Sequence, residues 1–445
     1  MHLPIHHEDG YPKMTSRDVI TLVLLILISV FLYADQNVVN PVIQELQQEY
    51  GVPKDKIGII GSAFLLLGAL VSLIWGYYTD KVSRKNLLVF TVLLGEIPCF
   101  LCGFRLFTQT YEQFLFLRIL TGIGVGGIFP LTYSLVADYF KAEHRVTAVA
   151  WVGVAWAVGQ VMGQAIAGFL VEDYGWRLPF ILVSVPNYVL VPLFFAFARE
   201  PKRGATEEQL EELFQAGREY TSVIKPSDFK RILRIPTNVL AFLQGVPGTL
   251  PWGILPFFFV DFYREVKGFH ADIATSLTVI FGMGTILGGL IGGHAGQELY
   301  KRNPKYLPFF SGLSIVLGVF PWYYMTAMQF PPDPGWSEFI LPSIVGFFAG
   351  VIVSLASANV KALLMAVNPP ENRGSAFAIF NLTDSIGKGI GPWLGGLLIK
   401  GMGYGFTLNF AISWWIPSGI LFLLIIFTVE RDKRRMEEHL HRMAR

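Results

Sequence analysis

The stretch Gly76-Tyr-Tyr-Thr-Asp-Lys-Val-Ser-Arg-Lys85 separates two long apolar runs, and a degenerate copy of it, Gly293-His-Ala-Gly-Gln-Glu-Leu-Tyr-Lys-Arg302, recurs in the second part of the chain. A second match pairs Glu143-His-Arg145 with Glu371-Asn-Arg373. The spacing between the copies grows near the loop at 330–335. We therefore predict two halves repeated in parallel, an arrangement common in transporters, which bind substrate near the midplane between the repeats.

The composition indicates a membrane protein. Hydrophobic residues make up 53% of the 445 residues and charged residues only 15%, against about 25% charged residues in soluble domains. This charge is too small to cover a water-facing surface, which nearly excludes a soluble enzyme. An aromatic content of 14% excludes intrinsic disorder, and a net charge of +2 leaves no basic face for nucleic acid.

Apolar runs bounded by charges predict an all-α membrane protein with twelve transmembrane helices. Runs of this length must be helical, because every backbone polar group in hydrocarbon needs an internal partner. The predicted spans are 18–43, 55–79, 86–107, 111–138, 145–171, 176–197, 236–263, 270–296, 305–329, 337–366, 374–400 and 404–429.

The spans divide the chain into a six-helix half at 18–197, a linker at 198–235 and a second six-helix half at 236–429. Tails at 1–17 and 430–445 flank them. With the N-terminus in the cytoplasm, 25 Lys and Arg residues fall on the cytoplasmic side and 7 in the outer loops. The positive-inside rule then places both termini in the cytoplasm, and the plasma membrane is the expected location.

The sequence shows no catalytic signature, and we expect no enzyme activity, no cofactor and no metal. Gly387-Lys388 is followed by Gly389, so no phosphate-binding loop is formed and nucleotide-driven pumping is not expected. The H-E-x-x-H and G-x-S-x-G motifs do not occur either. Cys99 and Cys102 have the C-x-x-C spacing of some redox or metal sites, but in an apolar run we expect them to pack as small hydrophobic residues.

Over nearly its full length the sequence resembles the major facilitator superfamily, and the resemblance implies the twelve-helix fold of that family. It rests on the 76–85 stretch and its copy, on Arg118-x-x-x-Gly122, on the glycine-rich fifth span and on Gly175-Trp-Arg-Leu-Pro-Phe180.

A narrower resemblance is to the spinster branch, whose members are implicated in moving lysophospholipids and sphingosine phosphate. It rests on Tyr33-Ala-Asp-Gln36, on Arg118, on Arg199-Glu-Pro-Lys-Arg-Gly204 and on the span-seven stretch 244–253. The sequence departs from that branch at Gln36, where a basic residue is usual, and at Val125, where a glutamate is usual.

Asp35 and Arg118 lie inside predicted spans one and four at comparable depth. A carboxylate within a span costs roughly 2.5–3.5 kcal/mol on insertion scales, so it is expected to face a cavity or a partner. The resemblance implies that the two residues pair. The pair is then either a structural ion pair or a proton-coupling site, and Arg118 is also a candidate to bind a phosphate or carboxylate of the substrate.

Other polar and aromatic residues of the spans are candidate substrate ligands. Asp384 and Lys388 are four residues apart and can also pair with each other, and Lys361 can extend to the membrane surface. A bent seventh span is predicted from Gln244, Trp252 and the prolines Pro247, Pro251 and Pro256. The full set of substrate candidates is Arg118, Tyr133, Gln160, Gln244, Trp252, Lys361, Asn381, Asp384 and Lys388.

A third group of residues is predicted to act as a conformational latch at the cytoplasmic helix ends. Carboxylates and basic groups there can pair across the halves in one state and separate in the other. Its predicted members are Gly76, Asp80, Lys81, Arg84, Lys85, Arg145 and Arg373.

Together these features predict a secondary active transporter that works by alternating access. We expect it to be proton-linked, monomeric and specific for an amphipathic anionic lipid such as a lysophospholipid. The alternative is a small polar organic anion or a sugar phosphate. The expected partners are the substrate, protons and the lipid bilayer, and no nucleic acid.

Overall fold

The computed structural model describes residues 16–79, 81–139, 142–198, 232–368 and 370–443. Asp80 lies outside this part, as do the residues before Ser16 and most of the predicted linker. The side chains of Tyr133, Arg145 and Arg373 also fall outside it.

All regular structure in the described residues is helical, which confirms the all-α prediction. Short 3-10 turns at Asn40–Val42, Arg105–Phe107 and Ile425–Phe427 supplement the α-helices. The helices are α1 (Ser16–Asn37), α2 (Ile43–Tyr50), α3 (Lys54–Thr79), α4 (Arg84–Cys102), α5 (Tyr111–Val125), α6 (Ile128–Tyr139), α7 (Ala142–Tyr174), α8 (Arg177–Phe197), α9 (Pro236–Leu243), α10 (Gly245–Glu265), α11 (Ala271–Arg302), α12 (Tyr306–Ala327), α13 (Trp336–Ser354), α14 (Asn359–Val367), α15 (Pro370–Ser413), α16 (Trp415–Leu424) and α17 (Val429–Met443).

The described residues contain 11 stretches that are long and apolar enough to cross a membrane. The last stretch, Ala376–Phe427, holds both predicted spans eleven and twelve. Gly403 breaks the helix between them, with φ 81° and ψ 172°, a conformation that only glycine adopts readily. The twelve predicted crossings are therefore present.

The third span is shorter than predicted. Helix α4 ends at Cys102, and Arg105–Phe107 forms a separate 3-10 turn. Leu106 in this turn is 70% exposed, so its apolar side chain extends the hydropathy signal without extending the helix.

Spans one, four, seven and ten are each built from two helices instead of one. The breaks lie between α1 and α2, between α5 and α6, between α9 and α10, and between α13 and α14. In span seven the break is at Gln244, whereas Pro251 and Pro256 lie inside α10. The break follows Leu243, whose carbonyl Pro247 cannot bond because proline has no N–H, so span seven is interrupted as the prolines predict. Broken spans of this kind border the substrate pathway in transporters.

Each half packs as a bundle, and two helix pairs join the halves. In the first half α1 packs on α7 and α8, and α4 packs on α5. In the second half α10 packs on α15, and α11 on α13. Between the halves α3 packs along α15, and α7 along α11.

Large apolar side chains such as Leu73, Phe90, Phe320 and Ile344 are exposed on the outside of the bundle. A surface of this kind is stable only in hydrocarbon, because contiguous apolar patches of this extent are rare on soluble monomers. The exposed apolar side chains and the long apolar helices together describe an integral, multi-pass membrane protein.

The contact of α1 with α7 depends on a close backbone approach. A Cβ atom at Gly163 would overlap the main-chain carbonyl of Ala34, whereas Gly153 on the same helix has no neighbour within 4 Å. We expect Gly163→Ala to destabilise the folded protein by about 1–3 kcal/mol, the usual cost of overpacking. Gly153→Ala is the matched control and should leave stability unchanged. Thermal unfolding of the detergent-solubilised protein measures both, and equal unfolding temperatures for the two variants would contradict the close packing.

Candidate functional site: a charged cavity between the halves

A cavity near the centre of the molecule is lined by both halves. Its volume is about 30 Å³, room for about two water molecules. The first half contributes Arg118 and Phe64, and the second half contributes Lys388, Trp252 and Phe257. Two cations and several aromatic rings therefore border one small space.

The Arg118 guanidinium is almost completely buried, with 1% exposure. Its Nη2 donates a hydrogen bond of 2.7 Å to the backbone carbonyl of Asp35, and its Nη1 donates to Cys99 Sγ at 3.7 Å. The rings of Phe64 and Phe180 lie 4.7 and 5.5 Å from the guanidinium carbon. These contacts hold the cation by a main-chain oxygen and aromatic faces rather than by a carboxylate.

Asp35 adjoins Arg118 but is not directly bonded to it through its side chain. The residue is fully buried, and neither carboxylate oxygen accepts a hydrogen bond from any described residue. Cys99 and Glu96 of α4 lie next to this carboxylate. The predicted neighbourhood of Asp35 and Arg118 is thus present, with the guanidinium aimed at the backbone of Asp35.

The second half carries an acid and two cations on α14 and α15. Lys361 and Lys388 are the cations that act on the Asp384 carboxylate, but these described residues form no ion pair within 4.0 Å. Asp384 and Lys388 are half-buried, and Lys361 is exposed. Of these three residues Lys388 lines the cavity, so the second half contributes one cation to its wall.

The other predicted substrate ligands occupy different surroundings. Trp252 is half-buried, lines the cavity and packs edge-on against Trp415, with the ring centroids 5.9 Å apart. Gln244 is buried, donates to the carbonyl of Ala241 and accepts from Ser418 Oγ. Its side-chain groups are therefore used within the second half.

Gln160 and Asn381 are not among the cavity-lining residues. Gln160 is half-buried, and its backbone carbonyl accepts a hydrogen bond from Asn37, which does line the cavity. Asn381 is exposed on α15. The Tyr133 side chain lies outside the described residues, so its predicted role stays a prediction.

The described members of the predicted latch contact their own half. Arg84 Nη1 donates to Ser134 Oγ at 3.1 Å, and the ammonium groups of Lys81 and Lys85 lie over aromatic rings of the first half. Gly76 has room at its Cβ position. Asp80 and the side chains of Arg145 and Arg373 fall outside the described part, so pairing across the halves stays a prediction.

Opposite the latch, at the end of the bundle where α3 begins, polar side chains join the two halves. We call this the Lys54 end, and the latch end the Arg84 end. Lys54 Nζ of the first half lies 2.7 Å from Asp261 and 2.5 Å from Glu265 of the second. Gln44 and Tyr404 also donate to Asp261, which completes what we name the Lys54 cluster.

Two further ion pairs cross between the halves at the same end. Arg264 lies 2.7 Å from Glu45, and Lys400 lies 3.4 Å from Asp55. At the Arg84 end the ion pairs of the described residues, such as Lys305 with Glu430, stay within one half. At the Lys54 end the two halves are thus joined by ion pairs.

Two parts of the site were missed in the sequence. Glu96 is an acid in the middle of predicted span three, and counting acidic as well as basic residues inside the spans would have found it. Lys54 and Asp261 lie at span ends, where charges are ordinary. Their pairing joins two distant parts of the chain and has no local sequence signal.

The model of the Major Facilitator Superfamily matches residues 25–347 and 336–443. The chain belongs to this superfamily. Its family and fold are those of secondary transporters rather than enzymes.

Spinster proteins are among the members of the superfamily to which this chain is similar. Protein spinster homolog 1 of Xenopus tropicalis is 24% identical over 460 residues, which cover 94% of this chain and 82% of the relative. The crystal structure of a bacterial homolog of the human lysosomal transporter spinster, inward-facing and unoccupied, matches with a TM-score of 0.78 at 17% identity, covering 94% of this chain and 99% of that one. The resemblance to the spinster branch is confirmed.

A second relative is named for the transport of an organic acid. The cis,cis-muconate transport protein of Acinetobacter baylyi is 26% identical over 388 residues, which cover 84% of this transporter and 86% of the relative.

The Lys54 cluster predicts that mutation at this end changes the distance between the halves. Asp261→Asn removes one of the two carboxylates with which Lys54 pairs across the halves and leaves Glu265 as its remaining partner, so the contact between the halves is weakened. We expect the variant to shift the transporter toward states open at the Lys54 end. Spin labels at Glu112→Cys and Gly401→Cys, both exposed sites, would report longer distances between the halves; the native Cys99 and Cys102 are buried.

The matched control is Glu49→Gln, because Glu49 pairs with Arg177 of its own half at 2.5 Å. This variant should leave the label distances unchanged. An unchanged distribution in Asp261→Asn as well would show that the cluster does not hold the halves together.

Proposed function

We propose that this transporter moves an amphipathic organic anion whose charged group binds between Arg118 and Lys388. One observation carries the proposal: two cations from different halves line the same central cavity. A ligand that bridges them contacts both halves at once, which is the requirement for alternating access around a fixed site.

The chemistry of the walls supports an anion with an apolar body. Arg118 offers planar, bidentate recognition of a carboxylate or phosphate, and Lys388 adds a compact point charge. Phe64, Trp252 and Phe257 supply aromatic surface beside these cations. Neither cation forms an ion pair within 4.0 Å among the described residues, so a bound anion would supply a direct partner.

The first candidate substrate is an anionic lipid such as a lysophospholipid. The similarity to spinster proteins over nearly the whole chain supports it. The second candidate is a small organic acid. It is supported by the similarity to a muconate transport protein.

We also propose that transport is linked to protons through Asp35. The support is a fully buried carboxylate that accepts no hydrogen bond from the described residues, adjacent to a cation that lines the cavity. Binding a proton removes the charge that burial disfavours. The Arg118 charge is then available to the substrate anion.

The proposed orientation puts the Lys54 end outside the cell and both termini in the cytoplasm, following the excess of Lys and Arg on the Arg84 side. The plasma membrane and a monomeric state complete the proposal. The halves, sealed at the Lys54 end, would then be closed to the outside in this structure.

Substrate identity is tested by uptake into proteoliposomes. A labelled lysophospholipid is compared with muconate, benzoate and a sugar phosphate, and we expect uptake of an anion with an apolar body. Lys388→Gln should raise the KM for that anion about tenfold or more, since a charged contact contributes about 1.5–3 kcal/mol. Lys301→Gln is the control, because Lys301 pairs with Glu298 on its own helix surface. An unaltered KM in Lys388→Gln would remove this lysine from the site.

Proton linkage is tested with Asp35→Asn in the same vesicles. We expect uptake by the unmodified transporter to depend on an imposed pH gradient, and uptake by the variant to lose that dependence because the amide cannot take up a proton. Glu112→Gln, at an exposed acid, should behave like the unmodified protein. A retained response to the gradient in Asp35→Asn would refute the coupling role.

A further inference from the structure

A second acid, Glu96, shares the buried pocket of Asp35. Glu96 lies on α4 and Asp35 on α1, and both are 0% exposed. Their carboxyl groups are within hydrogen-bonding reach of each other. Neither the predicted coupling site nor the cavity lining includes Glu96, so its contact with Asp35 is the new element.

The hydrogen bonds around the pair leave three carboxyl oxygens unused. Asn187 Nδ2 donates to Glu96 Oε1. Both oxygens of Asp35 and Oε2 of Glu96 accept no hydrogen bond from the described residues. Buried polar atoms without partners are rare, and two ionised carboxyl groups could not satisfy each other because both would be acceptors only.

The net charge of the pocket also indicates that one of the two acids carries a proton. Among the described residues the pocket holds two acids and one cation, Arg118, whose Nη2 is bonded to the backbone of Asp35. With both acids ionised the pocket carries a net negative charge in a region of low dielectric, which is strongly unfavourable. One proton makes the pocket neutral and supplies the missing O–H donor between the two carboxyl groups.

The other described groups that face the pair do not supply a second cation. Cys99 and Cys102 of α4 and Tyr188 of α8 are the titratable neighbours, and the Tyr188 hydroxyl donates to the backbone carbonyl of Glu96 at 3.2 Å. Helix α7 packs on α1, but its described part presents no charged group that acts on the pair.

We propose that Asp35 and Glu96 form one proton-binding site in which a single proton is shared between the two carboxyl groups beside Arg118. The inference deepens the proposed proton linkage and rests on it for its role in transport. The site binds a proton as an O–H of one acid donating to the other. An anion at Arg118 strengthens proton binding, because it offsets the positive charge that favours ionised carboxyl groups, and the proton is released when the anion leaves and water enters. Without Glu96, Arg118 would balance the charge of an ionised Asp35. The second acid is therefore what keeps a proton bound at the site.

Infrared spectroscopy of the full-length protein in detergent at neutral pH tests the site without any substrate. A protonated carboxylic acid gives a C=O stretching band that ionised carboxylates lack. We expect this band in the unmodified protein and its loss in Glu96→Gln and in Asp35→Asn, because a single remaining acid is balanced by Arg118. Glu96→Asp keeps both acids and should keep the band.

The matched control is Asp432→Asn, since Asp432 is a buried acid that already accepts hydrogen bonds from Thr237 N and Oγ1. This variant should leave the band unchanged. Absence of the band in the unmodified protein, or its persistence in Glu96→Gln, would overturn the shared-proton site. If Glu96→Gln fails to elute as a folded monodisperse protein, Asp35→Asn and Glu96→Asp decide.

The band and the transport assay separate the two proposals. A band that disappears in Glu96→Gln supports the shared site even if uptake proves independent of the pH gradient, in which case only the proton-linked function fails. If uptake depends on the pH gradient but the band survives in Glu96→Gln, the linkage stands and the shared site is refuted.

Discussion

Burial of two acids beside a single arginine constrains the whole first half. Asp35, Glu96 and Arg118 come from α1, α4 and α5, and each is at most 1% exposed. Because a charge in hydrocarbon is tolerated only next to a partner or a cavity, these helices must pack around one another and cannot expose this face to lipid. The buried Asn187 of α8 bonds Glu96 and the carbonyl of Ile28, which ties a fourth helix to the same point.

The two halves treat their charges differently, and the difference suits a carrier. In the first half the charged groups are dry and their carboxyl oxygens lack donors among the described residues, so small changes in protonation have large energetic consequences. In the second half Lys388 and Asp384 are half-buried and Lys361 is exposed, and Lys388 lines the cavity. The seal at the Lys54 end is made of ion pairs and hydrogen bonds between side chains, contacts that can exchange with water when the halves move.

The sequence was sufficient for the features that depend on local pattern. Twelve apolar spans, the all-α class and the two repeated halves follow from hydropathy and from glycine and charge motifs, and the structure has them. The break in span seven lies at Gln244, which the sequence marked together with the prolines, and the helix continues through Pro251 and Pro256. The end of span three was misplaced because Leu106 is apolar but exposed.

The site was less predictable because its contacts are non-local. Depth along the spans put Asp35 and Arg118 at a comparable level, and the family resemblance implied that they pair. Neither could show that the guanidinium bonds a backbone carbonyl and leaves the carboxylate free of it. The contact of Asp35 with Glu96 and that of Lys54 with Asp261 join different helices, and a single sequence gives no register between helices. Such pairs become visible only when the packing is known.

Matching the two repeats shows how the halves differ at and near the cavity. The alignment that matches Gly76 with Gly293 also matches Asp35 with Trp252. The alignment that matches Glu143 with Glu371 also matches Arg118 with Gly346. The second half therefore has an aromatic ring where the first has an acid, and no side chain where the first has its arginine.

This difference between the halves separates proton coupling from substrate recognition. Since Trp252 and Lys388 both line the cavity, the second half has kept positions suited to contact a substrate, while the buried acids Asp35 and Glu96 are concentrated in the first. In a fold made of two repeated halves, one half can thus carry proton coupling and the other most of the substrate recognition. Arg118 serves both, because it bonds the backbone of Asp35 and also lines the cavity.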